Sequence, residues 1–399
     1  MKKLLILLVP LASLCAANYN RYLPPPPKQE VQKGPPPATI TPAFSPIKGN
    51  TYDIALQADV LCLTSSITNL SYATKHEALP SGNALLPNSS NLAPQEAYEF
   101  DWGYSPGVRV SFGVNTDFDG WDFALDWTYF SNGFKESKRV PAVANGIDLD
   151  SPPIGTELLS NSWSDFSSSD SLATSISAKG NVQLNQLNLV TGRKFLLSRR
   201  LALRPFGGVR ALLSHLYLRS TKGFETTGQS ALNNLIVWND RLKQKVWSVG
   251  TVVGVDSSWN IYKSFSLFGS GDIALCYGPY KNHTSLKTHS QSTAILADSH
   301  TNSRFNHNQT WTLQQILDLA FGFRYEKTWN NPKFDERFRM VLDLGWESHV
   351  YPGYNHLDQA TSTQTILDST SLDNTPTTFR YSNGSLSLAG VVFRGHFQF

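Results

Sequence analysis

The chain is predicted to be all-β: a transmembrane antiparallel up-and-down β-barrel of about 10 strands, or 12, with short periplasmic turns and long external loops. Three observations carry this. The last stretch, LSLAGVVFRGHFQF (386–399), puts Val391, Phe393, Phe397 and Phe399 on one parity, with small Ala389 and Gly395 between them. Arg394, His396 and Gln398 take the other parity. Such alternation is a strand with one apolar and one polar face. A terminal aromatic suits the interface girdle of a membrane barrel better than a soluble sandwich. Second, the same period of two recurs from Tyr52 onward. Third, the amino terminus reads as an export signal.

That signal spans 1–17. Lys2 and Lys3 form the charged region, Leu4 to Leu14 the apolar core, and Cys15-Ala16-Ala17 a small-residue cleavage site before Asn18. The apolar run is too short to cross a bilayer as a helix, which takes roughly 20 residues. Leu14 argues against lipid modification at Cys15. Without Lys2 and Lys3 the formal charge falls from +3 to +1, so no nucleic-acid partner is implied. Of 3 cysteines, Cys62 and Cys276 remain, too few for a disulfide framework. Residues 18–50 hold Pro24 to Pro27 and Pro35 to Pro37, a Pro-rich periplasmic spacer ahead of a barrel over 51–399.

The strands follow in order. Ile54, Leu56, Ala58, Val60 and Cys62 alternate with Gln57 and Asp59. Phe100, Trp102, Tyr104, Val108, Val110, Phe112 and Val114 are expected on one face, with Arg109, Ser111 and Asn115 on the other. After a short turn, Trp121, Phe123, Leu125, Trp127 and Tyr129 oppose Asp122, Asp126 and Thr128. The stretch 182–195 runs into the tight turn Ser198-Arg199-Arg200, and its parity slips between Leu184 and Leu187, where a bulge is expected. Leu201, Leu203, Val209, Ala211 and Leu213 then alternate with Arg204, Gly208, Arg210 and Ser214. Four more segments repeat the pattern, with Asp256, Asp272, Asp318, Arg324, Arg339, Asp343 and Glu347 on their polar faces. The connections at 116–120, 198–200, 260–264 and 327–337 read as short. Those at 64–97, 131–179, 218–243, 278–310 and 352–383 read as long, Ser/Thr/Asn/Gly-rich loops. The loops at 64–97 and 131–179 are long enough to hide one more hairpin, which would give 12 strands.

Charges facing lipid cost about 2–4 kcal/mol at the midplane, so the polar parity faces the lumen. The expected pore-lining residues are Arg109, Asp122, Asp126, Arg204, Arg210, Asp256, Asp272, Asp318, Arg324, Arg339, Asp343 and Glu347. They either line an aqueous path or pair across a narrow lumen and plug it. Arg204 and Arg210, with Arg109, Arg324 and Arg339, could form a basic ladder facing an acidic set. Near balance of sign implies weak ion selectivity. No catalytic residue, metal site or cofactor is expected. His349 and His215 have no nucleophile at triad spacing, and His283, His289, His300 and His307 are irregularly spaced in one polar loop. Phe393, Phe397 and Phe399 form the expected insertion signal for the barrel assembly machinery, and Phe399 should close the ring against the strand at 54–62.

One stretch carries a family resemblance: NVQLNQLNLVTGRKFLLSRRLALRPFGGVRALL (181–213). It resembles a central hairpin of the pore-forming outer-membrane proteins related to the Legionella major outer-membrane protein, a family with relatives in chlamydia-like bacteria. The segments 102–130, 257–278, 317–329 with 341–357, and 386–399 are similar to the same family. The first strand, LQADVLCLTSSITNLSYA (56–73), departs from it in lacking the acidic and tryptophan residues that the resemblance leads one to expect there. The resemblance implies a porin-like protein of the bacterial outer membrane that passes ions and small hydrophilic solutes by diffusion. The alternative is a closed or narrow barrel acting as a structural envelope protein, or as an adhesin whose loops meet a host-cell surface.

Overall fold

In a computed structural model, the alternating segments pair edge to edge into a closed ring. The structure describes residues 52–78, 92–116, 120–144, 155–160, 173–227, 234–292, 297–306, 309–331, 336–366 and 372–399. The expected signal at 1–17 and spacer at 18–50 lie outside the described residues. The ring consists of β1 (Tyr52–Ile67), β2 (Ser105–Thr116), β3 (Trp121–Arg139), β4 (Ser175–Arg193) and β5 (Leu201–Thr227). It continues with β6 (Asn234–Tyr262), β7 (Phe265–Ser292), β8 (Thr310–Asn331), β9 (Glu336–Ile366) and β10 (Leu372–Gln398). Each strand is antiparallel to the next, and β10 returns to β1. Reciprocal backbone bonds join Ile54 N–H to the Phe399 carbonyl at 2.9 Å and Phe399 N–H to the Ile54 carbonyl at 3.0 Å. A closed ring leaves no unpaired edge, as a lipid interior demands.

The outer wall is apolar for the reason that the alternation predicts. Val110, Phe112, Phe123, Leu189, Leu213, Val253, Ile273, Phe321, Leu344 and Phe393 are all exposed. Aromatic side chains bound this band at both ends. Trp121, Trp259, Tyr262, Phe265, Trp329 and Phe397 ring the short-turn end; Tyr129, Trp247, Tyr277, Trp311 and Trp346 ring the other. At that second girdle, Trp311 lies 5.4 Å from Tyr277 and 5.9 Å from Trp247 between ring centroids.

Four expectations are corrected. The ladder runs unbroken through Phe130↔Leu184 and Trp127↔Leu187, so no bulge lies between Leu184 and Leu187. The parity slip instead marks a change of interior: Leu187 faces outward and exposed, whereas Leu184 points into the ring and is buried. Phe100 and Trp102 precede β2 and are buried against Phe134, not displayed on the outer wall. Most of the expected long loops are strand. β5 and β6 pair from Leu201↔Trp259 out to Glu225↔Leu235, and β9 and β10 pair out to Ile366↔Leu372. The backbone ladder continues past the girdle into water, where no apolar outer face is needed. Lastly, the loop at 64–97 does hold a hairpin, Ser71–Ala78 with Leu92–Glu99, but it pairs with Glu157–Ser160 in a separate three-stranded sheet. The ring stays at ten strands.

Candidate functional site

Within the ring, the interior divides into two layers. The layer toward the short turns is charged and encloses a cavity of about 340 Å³. All twelve predicted pore-lining residues line it, from Arg109 on β2 to Glu347 on β9. The register places Arg109, Asp59, Arg394, Asp343 and Arg324 on five consecutive strands at one level. Signs alternate along this belt. Arg109 Nη1 is 3.1 Å from Asp59 Oδ2, and Arg394 Nε is 3.2 Å from the same oxygen. Arg394 Nη1 lies 3.6 Å from Asp343 Oδ2, and Arg324 grips Asp343 with two bonds of 2.8 Å.

A second chain of contacts crosses the lumen. Arg109 donates two 2.9 Å bonds to Glu347, which also accepts from Arg394 at 2.9 Å. His349 Nε2 stands 3.3 Å from Glu347, and His349 Nδ1 lies 2.8 Å from Asp318. Asp318 in turn accepts from Arg210 at 2.8 Å, and Arg210 reaches Asp272 at 3.0 Å. The chain thereby links β2 to β5 through β9 and β8, and Arg210 ties in β7. Nearer the turns, Arg204 bridges Asp122 and Asp256, the latter at 2.7 Å. Arg339 reaches Glu326 at 2.8 Å. Lys194, in the turn after β4, is half-buried at the mouth; burial first, and repulsion from Arg339 second, push its amine down to about 8.

The expected basic ladder facing an acidic set is therefore corrected. Each arginine of that ladder has a carboxylate against it, because alternating signs are the cheapest arrangement of charges in a low-dielectric interior. Asp59 and Arg394, expected on the inward parity, join the network, as does His349, which was not among the expected inward charges. Their inward parity was legible; their meeting across the lumen depends on a register that one sequence does not reveal.

Beyond the charges lies a buried apolar layer. Leu61 and Leu63 of β1, Phe130 of β3, Leu184 of β4 and Leu212 and Leu216 of β5 point inward, none more than 4% exposed. Val252, Ala274, Cys276, Ile316, Tyr351, Tyr354, Leu388 and Val392 complete the circle, none above 3%. Gly107 on β2 leaves room for Phe130, since a Cβ there would sit 3.1 Å from its ring. β9 adds a bulge: its register with β10 shifts between Tyr351 and Asn355, with Gly353 at φ 65°. This left-handed turn lets Tyr351 and Tyr354 both face inward. Across the lumen, Ser214 on β5 meets the Tyr354 hydroxyl. Gln244 on β6 donates to the Tyr354 carbonyl at 2.7 Å and accepts from His356 N–H at 3.1 Å. Asn282 on β7 donates to the His356 carbonyl, and the Tyr280 ring packs edge-on against His356 at 4.5 Å. Residues 351–356 thus form an inward latch.

The family model described as Legionella pneumophila major outer membrane protein precursor matches residues 44–399. The chain belongs to this family. Its barrel therefore lies in the bacterial outer membrane, with the short turns on the periplasmic side. No curated protein matches the chain. Among solved structures, it is similar to the outer membrane protease OmpT from Escherichia coli, at 10% identity and TM-score 0.33, covering 88% of this chain and 99% of that one. It is also similar to a Pseudomonas aeruginosa FadL homologue, at 9% identity and TM-score 0.22, covering 88% and 90%.

Proposed function

We propose that this outer-membrane barrel is a porin-like conduit held closed, admitting ions and small hydrophilic solutes only when the latch on β9 and the apolar layer part. One observation carries the reading: a charged cavity open to water-sized species ends against a layer of inward side chains that solvent does not reach. Ten strands agree with this, because about eight already give an interior that side chains fill. Near-neutral pairing in the cavity favours weak selectivity between small ions. The reading involves no catalytic step, since His349 is held between two carboxylates and not against a hydroxyl or thiol.

The three-stranded external sheet and the strand ends beyond the aromatic girdle support a second reading, a closed scaffold that presents these parts to an external surface. Single-channel recording of the refolded chain in a planar bilayer separates the two. The conduit predicts rare openings of low unit conductance. Silence at every voltage would favour the scaffold, and steady large currents would refute closure.

A further inference from the structure

The outer wall carries a second feature, just beyond the external aromatic girdle. Register sets Lys135 opposite Lys179, Lys179 opposite Arg219, and Arg219 opposite Arg241. All four lie on the outward parity of β3 to β6. Two further rows lie below: Tyr217 opposite Lys243 and Lys243 opposite His283, then His215 opposite Lys245 and Lys245 opposite Lys281. The outward positions of 131–139, 175–185, 215–223, 241–245 and 279–283 include no Asp or Glu. The wall across β9, β10 and β1 presents Ser348, Ser387 and Ser66 at comparable height, with no charge. The basic field is one-sided.

Like charges directly opposite each other on paired strands destabilise a sheet. A row of four on consecutive strands is therefore costly unless an anion sits against it. Depth identifies the anion. Lys245 precedes Trp247 by two residues on the same outward face, about 7 Å beyond the girdle, where lipid headgroups begin. The Arg219–Arg241 row lies about 13 Å farther along the strands. The apolar wall below, at Leu187, Leu213 and Trp247, is exposed for acyl chains. A shallow depression lined by Gly133, Lys135, Lys179, Gly180, Asn181 and Tyr217 lets a headgroup approach the backbone at Gly133, which has no side chain on the outward face. Lys and Arg clusters of this kind hold phosphate through charge-assisted hydrogen bonds.

We infer that the outward face of β3–β7 is a binding site for a phosphorylated glycolipid of the outer leaflet, its phosphates on the Lys243, Lys245 and Lys281 rows, its acyl chains along the apolar wall below, and the Lys179–Arg219–Arg241 row farther out extending the basic field. The site does not depend on whether the lumen conducts.

Native mass spectrometry of the full chain in detergent, titrated with bisphosphorylated lipid A, tests this. The wild type retains the lipid. The variant Arg241→Gln/Lys243→Gln/Lys245→Gln/Lys281→Gln loses about tenfold or more in affinity, as does lipid A stripped of phosphate. A milder variant, Lys245→Gln alone, loses about threefold, which guards against misfolding of the quadruple change. Arg199→Gln/Arg200→Gln, at the periplasmic turn, leaves binding unchanged. Equal affinity for the quadruple variant or for the dephosphorylated lipid would overturn the inference, and so would an equal loss in the turn variant. Binding of heparin but not of lipid A would show that the surface serves a soluble polyanion instead.

Discussion

Glu347→Ala should destabilise the folded barrel by about 3–5 kcal/mol, the cost of removing one partner from a buried charge network. The Glu347 side chain is 2% exposed and holds Arg109, Arg394 and His349 together. Without it, two guanidinium groups and an imidazole face one another with only Asp59, Asp343 and Asp318 to neutralise them. Glu347→Gln keeps an acceptor and should cost less. Arg339→Gln, which loses a rim contact to a Glu326 that is 36% exposed, should cost about 0–1 kcal/mol. Urea unfolding of the three variants in lipid vesicles gives the comparison. Equal midpoints for Glu347→Ala and Arg339→Gln would mean that lumen water already screens the network.

Releasing the latch should have the largest effect on transport. Gln244 makes two hydrogen bonds to the bulged segment of β9, and Ser214 makes a third. At about 0.5–1.5 kcal/mol each, the pair Ser214→Ala/Gln244→Ala removes roughly 2–4 kcal/mol from the closed state. That shifts a two-state equilibrium by about 30- to 1000-fold toward opening. Single-channel records should show open probability rising in step, with unit conductance little changed. An unaltered open probability would place the closure in the leucine layer alone.

How far the sequence speaks differs between the two walls. The lipid face was legible residue by residue, because Val391, Phe393 and Phe397 can only alternate with Arg394, His396 and Gln398 in a strand. Strand number and ring closure followed from counting such segments. The charged lining was legible for the same reason: each inward Asp or Arg sits on the parity opposite a large apolar residue. The apolar layer was not. In 386–392, Leu386, Leu388 and Val392 share the parity of Arg394, so both faces of that segment carry apolar side chains and periodicity loses its direction. The latch depends on a bulge at Pro352-Gly353 that a Pro-Gly pair in a presumed loop does not announce. The external sheet joins 71–78 to 157–160, a pairing between distant loops that no local pattern encodes. Lys243 read as the end of the loop at 218–243 until the register put it in line with Tyr217.

The central claim is that side chains close the lumen, and Cys276 reports on it directly. Its thiol lies on the inner face of β7, 0% exposed, 3.9 Å from the Arg210 carbonyl. The measurement is the rate at which a charged methanethiosulfonate reagent modifies Cys276 in vesicle-reconstituted protein carrying Cys15→Ser and Cys62→Ser. The comparison is a thiol placed by Gln57→Cys, with Cys276→Ser, in the cavity below the layer. A closed lumen predicts that Cys276 stays unmodified while the Gln57→Cys thiol reacts to completion. Equal rates at the two positions would mean that water and solute already pass the layer, and the closed barrel would be wrong.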